Sequence, residues 1–186
     1  MNELFSEFVM IYTTYIETPI GLMLAGATSE GICLFDFEHR HMMSSIQKRL
    51  CDGLETTTTE GEHWHFATLR AQAIEYFNGT RKTFDLPLHL VGTDFQKRVW
   101  EALLQIPYAE TRSYKQQSIA LGNEKAIRAV AGANGENGIA IIVPCHRVIG
   151  ENGSLTGYGG GLWRKKWLLE HEIKHSGKTS QLSIFE

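Results

Sequence analysis

The sequence predicts a mixed α+β chain (α/β in the broader sense), with a small antiparallel sheet in the N-terminal half and a mostly helical C-terminal half containing a helix-turn-helix. Three observations lead there. Short runs of β-forming residues alternate with turn residues between Ile11 and Phe37. Two capping-box spacings, Thr93 to Gln96 and Ser113 to Gln116, open helical stretches in the second half. Gly122-Asn123 then makes a tight turn between two short helices.

The totals bound what the chain can be. With 186 residues, 42% hydrophobic and 21% charged, it has the composition of an ordinary soluble globular protein. No apolar run approaches the roughly 20 residues that span a bilayer, so no membrane association is expected. The first seven residues, Met-Asn-Glu-Leu-Phe-Ser-Glu, are acidic and lack the basic start and apolar core of a signal peptide. Cys33, Cys51 and Cys145 are few and odd in number, which suits a reducing cytosol better than a disulfide framework. A cytoplasmic protein is therefore expected. The formal net charge of −3 argues against a general polyanion binder. Residues 1–91 carry 6 Lys/Arg and 12 Asp/Glu, however, whereas residues 92–186 carry 12 and 9, so an anionic ligand would sit on the second half.

In chain order, Tyr12–Ile16, Leu22–Ala25 and Ile32–Phe37 read as a three-stranded antiparallel meander, with turns at Thr18–Gly21 and Ser29–Gly31. Cys33 falls inside the third strand and reads as a core thiol. Met42–Leu50 is a short amphipathic helix, and Thr56–Thr59 a solvated connector. His39, His41, His63 and His65 raise a zinc site, but neither Cys33 nor Cys51 has a second cysteine at finger-like spacing, so no metal is expected. Phe66–Phe77 is a helix with Leu69, Ala73, Ile74 and Phe77 on its inner face, closed by Asn78-Gly79. An extended segment, Phe84–Leu88, leads to a boundary near Val91-Gly92. The expected division is 1–91, 92–172 and a flexible tail, 173–186.

In the second half, the helix capped by Thr93 runs through Val99, Trp100, Leu103 and Leu104 to a stop at Pro107. Ser113 caps a short helix to Leu121, and a further helix runs from Glu124 to about Asn134 with Ile127, Val130 and Ala131 inward. Its outward positions are Lys125, Arg128, Ala129 and Gly132. Small residues let a backbone approach closely and long cations reach phosphates or enter a groove. Tight helix packing with a solvated Arg explains the same face. Ile139–Val143 reads as a strand, Asn152-Gly153 as a turn, and Gly157–Gly161 as a mobile loop or linker. Leu162–His171 is a helix with basic residues at Arg164, Lys165 and Lys166, and Glu172 lies at its end.

One decapeptide holds the chemistry. Ile141–Gly150 reads Ile-Ile-Val-Pro-Cys-His-Arg-Val-Ile-Gly, an apolar run that stops at Pro144 and delivers a thiol, an imidazole and a guanidinium in succession. Cationic neighbours favour the thiolate, the nucleophilic form of Cys145. An ordinary core cysteine is the alternative.

These residues together closely resemble the O6-alkylguanine-DNA alkyltransferase family, the methylated-DNA–protein-cysteine methyltransferases. The resemblance covers roughly 92–172. It rests on Gly-Thr-Asp-Phe-Gln at 92–96, Ser-Tyr at 113–114, Arg-Ala-Val at 128–130, Ile-Val-Pro-Cys-His-Arg-Val at 142–148 and Gly-Tyr-Gly-Gly-Gly at 157–161. Thr18–Gly21 and Tyr76–Gly79 extend it more loosely into the first half, which in that family is a ribonuclease H-like domain without nuclease activity.

What the resemblance implies is a single-use DNA repair protein. The helix-turn-helix would dock in the minor groove of double-stranded DNA containing O6-alkylguanine, with the bare Ala129 and Gly132 face against the duplex. The damaged base would be flipped out and Arg128 would fill the gap. Tyr114 would assist extrusion and hydrogen-bond the base. Tyr158 and the Gly159 main chain would line the pocket, and carbonyls near Cys145 and Val148 would accept from the exocyclic amine. Cys145 would then take the alkyl group irreversibly, with His146 as base through a water, Glu172 orienting the imidazole and Asn137 tying the loop to the site. No cofactor is implied.

Two competing classes remain, a lesion-binding module that transfers nothing and a cysteine hydrolase using Cys145, His146 and Glu172. Outside the family core, Gln181-Leu182-Ser183-Ile184-Phe185 resembles the short motif by which bacterial replication and repair proteins bind the sliding clamp. A tail folded back on its own domain is the other reading. No oligomerisation signal is visible, and a monomer is expected.

Overall fold

The computed structural model describes residues 9–177. Strands β1 (Ile11–Thr18), β2 (Gly21–Thr28) and β3 (Gly31–Phe37) form the expected antiparallel meander. Gly21 and Gly31 open β2 and β3 with positive φ of 121° and 152°, which is why these turns carry glycine. After helix α1 (Met43–Gly53), β4 (Thr58–Glu60) pairs with β1 in parallel, giving the order β3-β2-β1-β4. The stretch expected to be a solvated connector thus contains an edge strand. Its side chains are exposed, so it left no hydrophobic alternation to read.

Helix α2 (Trp64–Phe77) packs against β1 and β2. Its inner face is Phe66, Leu69, Gln72, Ala73 and Tyr76, whereas Ile74, expected inward, is 62% exposed. Tyr76 takes the core position because its ring is fully buried and its hydroxyl finds a carboxylate across the molecule.

The helical half begins with α3 (Asp94–Leu104), whose Thr93–Gln96 capping box is complete, as is that of Ser113–Gln116 ahead of α4 (Tyr114–Ala120). The two-residue strand β5 (Arg112–Ser113) lies just before α4. Gly122, at φ 80°, turns the chain into a single 3-10 turn, Glu124–Ala126, and then α5 (Ile127–Gly135). The expected inner face is corrected here too. Val130, Ala133 and Asn134 are buried, while Ile127 is 37% exposed. Buried amides lock α4 to α5, with Asn134 Nδ2 donating to Gln117 Oε1 (2.7 Å) and Gln117 Nε2 to Asn134 Oδ1 (3.2 Å). Such a pair is satisfied only in one register, so it sets the angle of the two helices.

Ile139–Val143 is not a strand. Ile139 makes one bridge to Phe35, Ile141 adopts φ 72°, and the Val143 N–H returns to the Ile139 carbonyl (2.9 Å). An apolar run buried on all sides carries no period to tell a strand from a packed turn. Beyond it come β6 (Val148–Ile149), parallel to β5, and α6 (Leu162–His175). Helix α6 runs three residues past the start of the expected tail.

The outer edge of β3 is covered by chain from both sides. Ile32 exchanges hydrogen bonds with Pro87 and His89, and Phe35 with Gly138 and Ala140 (2.7–2.9 Å). Every residue of β3 is consequently buried. One buried apolar cluster continues from Ile16 through Phe35, Tyr76 and Val99 to Leu168, so the sheet directly supports the loop that carries Cys145. None of the described helices is long and apolar enough to cross a membrane.

Candidate active site

Pro144, at φ −84° and ψ 62°, turns the chain into a single 3-10 turn, Cys145–Arg147. Asn137 fixes the approach. Its Oδ1 accepts the Ile139 N–H (3.0 Å), and its Nδ2 donates to the Val143 carbonyl (2.8 Å) and to Cys145 Sγ (3.3 Å). One buried amide therefore holds the turn and touches the sulfur.

Behind the cysteine, His146 is fully buried, and its Nε2 lies 2.8 Å from Glu172 Oε1. An ionised carboxylate only accepts, so Nε2 carries the proton and Nδ1 keeps a lone pair. That Nδ1 is buried and has no hydrogen-bond partner among the described residues. Glu172 also accepts from Tyr76 Oη (2.9 Å), the Ala109 N–H (2.9 Å) and Arg147, through Nε (3.0 Å) and Nη2 (2.9 Å). Burial alone would raise the carboxyl pKa, but His146 and Arg147 outweigh it and hold Glu172 well below the usual carboxylate range. Burial pushes His146 the other way, towards the neutral ring, against the pull of Glu172. The two shifts cannot both describe a charged His–Glu pair. Arg147, with its bidentate geometry, is the cation that balances Glu172, and the imidazole stays neutral.

This corrects the reading of Arg147 as a partner for the thiolate. Its guanidinium is spent on Glu172 and on the Ile106 carbonyl (2.7 Å). The cations that act on the sulfur are Arg40 and Lys165, and Lys165, one of the three basic residues read on the last helix, is fully buried. Lys165 Nζ donates to the carbonyls of Val148 (2.5 Å) and Thr156 (2.7 Å), and burial lowers its pKa to about 8 while Cys145 raises it. Burial likewise pushes the Cys145 thiol up. The Asn137 hydrogen bond, Arg40 and Lys165 act against that shift. A signal for Lys165 did exist. Residues 165, 168, 169 and 172 follow the i, i+3, i+4, i+7 spacing of a helix's inner face, with Lys and Glu at its two ends.

The remaining expected residues divide into two groups. Tyr114 opens α4, and its hydroxyl donates to the carbonyls of Thr156 (3.2 Å) and Gly157 (3.3 Å). Tyr158 stands edge-on to Phe37, its buried hydroxyl without a partner among the described residues, and Gly159 follows it. Tyr158 and Gly160 thus pack against Phe37 of β3, with Gly160 buried and Gly157 exposed. Cys145, Tyr158 and Gly159 line one small cavity with Asn134 and Gly135 at the end of α5, and Val148 lies buried on β6. Arg128, Ala129 and Gly132 stay on the exposed face of α5. A Cβ at Gly132 would meet nothing within 4 Å, so that face is open rather than packed.

Side chains from the first half reach this region without having been foreseen. Tyr76 donates to Glu172. Arg40 and buried Asp36, paired with each other, line the cavity. Among the described residues, no group of three or more His, Cys, Asp or Glu is arranged to hold a metal ion.

A half-buried thiol, a neutral imidazole oriented by a buried carboxylate, and an open helix face at the cavity's edge suit nucleophilic chemistry at a cysteine. Comparison with known proteins narrows that class. Residues 94–174 match the family model described as 6-O-methylguanine DNA methyltransferase, DNA binding domain, and residues 10–90 match its ribonuclease-like domain. A methylated-DNA–protein-cysteine methyltransferase of Mycobacterium tuberculosis is 44% identical over 183 residues, covering 95% of this chain and all of the relative. A constitutive one of Bacillus subtilis is 45% identical over 153 residues, covering 81% of this chain and 88% of the relative. The crystal structure of Mycobacterium tuberculosis OGT in complex with DNA superimposes with a TM-score of 0.78 at 43% identity, covering 88% of this chain and 94% of that one. The chain belongs to the methylated-DNA–protein-cysteine methyltransferase family.

Proposed function

We propose that this chain repairs double-stranded DNA by moving the alkyl group of O6-alkylguanine onto Cys145, once per molecule. The observation that carries the reading is the commitment of His146 Nε2 to Glu172, which leaves the Nδ1 lone pair of the residue next to Cys145 in sequence free to act as base.

The reaction is an in-line displacement. The Cys145 proton passes to His146 Nδ1 through a water, and the sulfur attacks the alkyl carbon. The carbon–O6 bond breaks, and its electron pair leaves with the guanine. Tyr114 passes its hydroxyl proton to the base as the bond breaks, so guanine leaves neutral, and the proton taken up by His146 returns to Tyr114 through water. Arg147 keeps Glu172 ionised throughout, so the imidazole can become cationic against a carboxylate already in place. The thioether product is not cleaved by water under mild conditions, so Cys145 reacts once. No step calls for a cofactor.

On the DNA side, Ala129 and Gly132 allow α5 to approach a groove closely, and exposed Arg128 is placed to enter the stack when the base turns out. The chain acts as a monomer in the cytosol. Residues Gln181–Phe185 lie outside the described residues, and on sequence alone they add a sliding-clamp contact. Binding to purified clamp that survives deletion of 181–186 would remove that contact.

Incubation with a duplex carrying O6-methylguanine, followed by peptide mass analysis, tests the central claim. Transfer adds one methyl to the Cys145 peptide and none in Cys145→Ala. Bound lesion with unmodified Cys145 would mean a lesion-binding module, and repeated ester turnover would mean a hydrolase.

A further inference from the structure

Tyr158 and Gly159, which face Cys145 across the cavity, belong to a turn that does not hold its own shape. The Gly161 N–H donates to the Tyr158 carbonyl (2.9 Å), so Gly159 and Gly160 are the two central residues. Glycine has little dihedral preference of its own, and two in succession leave such a turn to be fixed from outside. At the Gly157 end it is held by Tyr114 and Lys165, which both donate to the Thr156 and Gly157 carbonyls. Both of those residues lie in the second half of the chain.

At the Gly160 end the restraint is Arg164, in the first turn of α6. Its Nη1 donates to the Gly160 carbonyl (2.8 Å), and its Nε donates to the Ile20 carbonyl (2.7 Å) in the turn between β1 and β2. The guanidinium also lies over two rings, 4.3 Å from the centre of Phe37 and 4.5 Å from that of Trp163. A planar fork that meets two carbonyls and two rings at once has one orientation, which a flexible ammonium cannot reproduce. The backbone on both sides is shaped to this arrangement. A Cβ at Gly21 would fall 2.8 Å from Arg164 Nη2, and one at Gly160 would strike the Phe37 ring. One side chain therefore ties Ile20 and Phe37, from the first half, to the turn that carries Tyr158 and Gly159.

We infer that Arg164 is a positioning residue for alkyl transfer, which fixes the Tyr158–Gly159 wall of the base pocket against the first half of the chain. The inference rests on the alkyl-transfer reading above and goes further, because it gives the first half a part in placing the substrate. Arg164 touches neither the sulfur nor the base and acts only through the wall it holds.

The test uses Arg164→Met, which keeps the apolar stem and loses both donors, and Arg164→Lys, which keeps the charge and loses the fork. Three quantities are measured on each: methyl transfer from a duplex carrying O6-methylguanine, transfer from free O6-methylguanine, and alkylation of Cys145 by iodoacetamide, read by peptide mass analysis. Arg164→Met is expected to slow both transfers about 10-fold or more, because duplex and free base use the same wall. The iodoacetamide rate should not fall, since that reagent needs the thiol and not the wall. Arg164→Lys should lie between Arg164→Met and wild type. Thermal melting checks that each variant folds, and Arg164→Lys decides alone if Arg164→Met does not. Both transfers within about two-fold of wild type in the folded variants would overturn the inference. So would an equal fall in the iodoacetamide rate, which would place Arg164 with the thiol, or a loss confined to the duplex, which would make it a DNA contact. If wild-type protein transfers from neither substrate, the failure lies with the proposed function instead.

Discussion

Arg147→Met removes the permanent cation that contacts Glu172 among the described residues while leaving most of the apolar stem in place. Glu172 would keep Tyr76 Oη, His146 Nε2 and the Ala109 N–H, but it would be a buried carboxylate without a counter-charge. Breaking a buried pair by removing one partner costs about 3–5 kcal/mol. For a chain of this size that corresponds to a melting point lower by roughly 10 °C. The pH dependence follows from the direction of the shift. In the wild type the Glu172 pKa is depressed, so its stabilisation is present above the unfolded carboxylate value and is lost as pH falls through the folded one. The variant lacks most of that depression. Its deficit should therefore be largest near neutral pH and shrink as the pH falls below about 4, where the unfolded carboxyl takes up a proton. Urea unfolding followed by tryptophan fluorescence at a series of pH values measures this directly. A deficit below about 1 kcal/mol at neutral pH, or one that does not shrink in acid, would refute the assignment of Arg147 as the balancing charge. Arg147→Met/Glu172→Gln should recover part of the loss, since the unpaired charge is gone.

Three other outcomes follow from the same geometry. Asn137→Ala removes the amide from the Val143 carbonyl and from Cys145 Sγ. It should cost about 1–3 kcal/mol in unfolding experiments and move the pH profile of Cys145 alkylation upward, and an unchanged profile would count against the contact with sulfur. Lys165→Met tests the buried ammonium. With a folded pKa of about 8 and an ordinary value of 10.5, the unfolded lysine holds the extra proton between those limits. Wild type should therefore gain up to about 3 kcal/mol on the variant as pH rises through that window, and a flat difference would contradict the lowered pKa. Arg128→Ala should slow methyl transfer from duplex DNA about 10-fold or more while leaving transfer from free O6-methylguanine nearly unchanged, and equal loss on both substrates would place Arg128 in the chemistry instead.

Much of the site was legible because its parts are close in sequence. Cys145, His146 and Asn137 lie within ten residues of one another, and the turn that joins them is pinned by bonds from Asn137 to Ile139, Val143 and Cys145. The two capping boxes each close over three residues, and the structure keeps both. The meander was legible for a similar reason, since β1, β2 and β3 pair with their neighbours across short turns. The misreadings share a different origin. The helical spacing of apolar residues points Ile74 and Ile127 inward, yet both are exposed, because the buried positions belong to Tyr76 and to Ala133 and Asn134.

By itself, the sequence determined the adjacency of thiol and imidazole at Cys145-His146, the capped starts of α3 and α4, and the turn between α4 and α5. Such features depend on hydrogen bonds and dihedral preferences that act over three or four residues, whatever surrounds them. Only the tertiary structure decided where the charges balance. Arg147 finds Glu172 25 residues on, Tyr76 reaches the same carboxylate from 96 residues away, and Arg40 reaches the Asn137 carbonyl across 97. A buried charge gains its partner only after the core has excluded water from both, and no local pattern records which distant group will be waiting there.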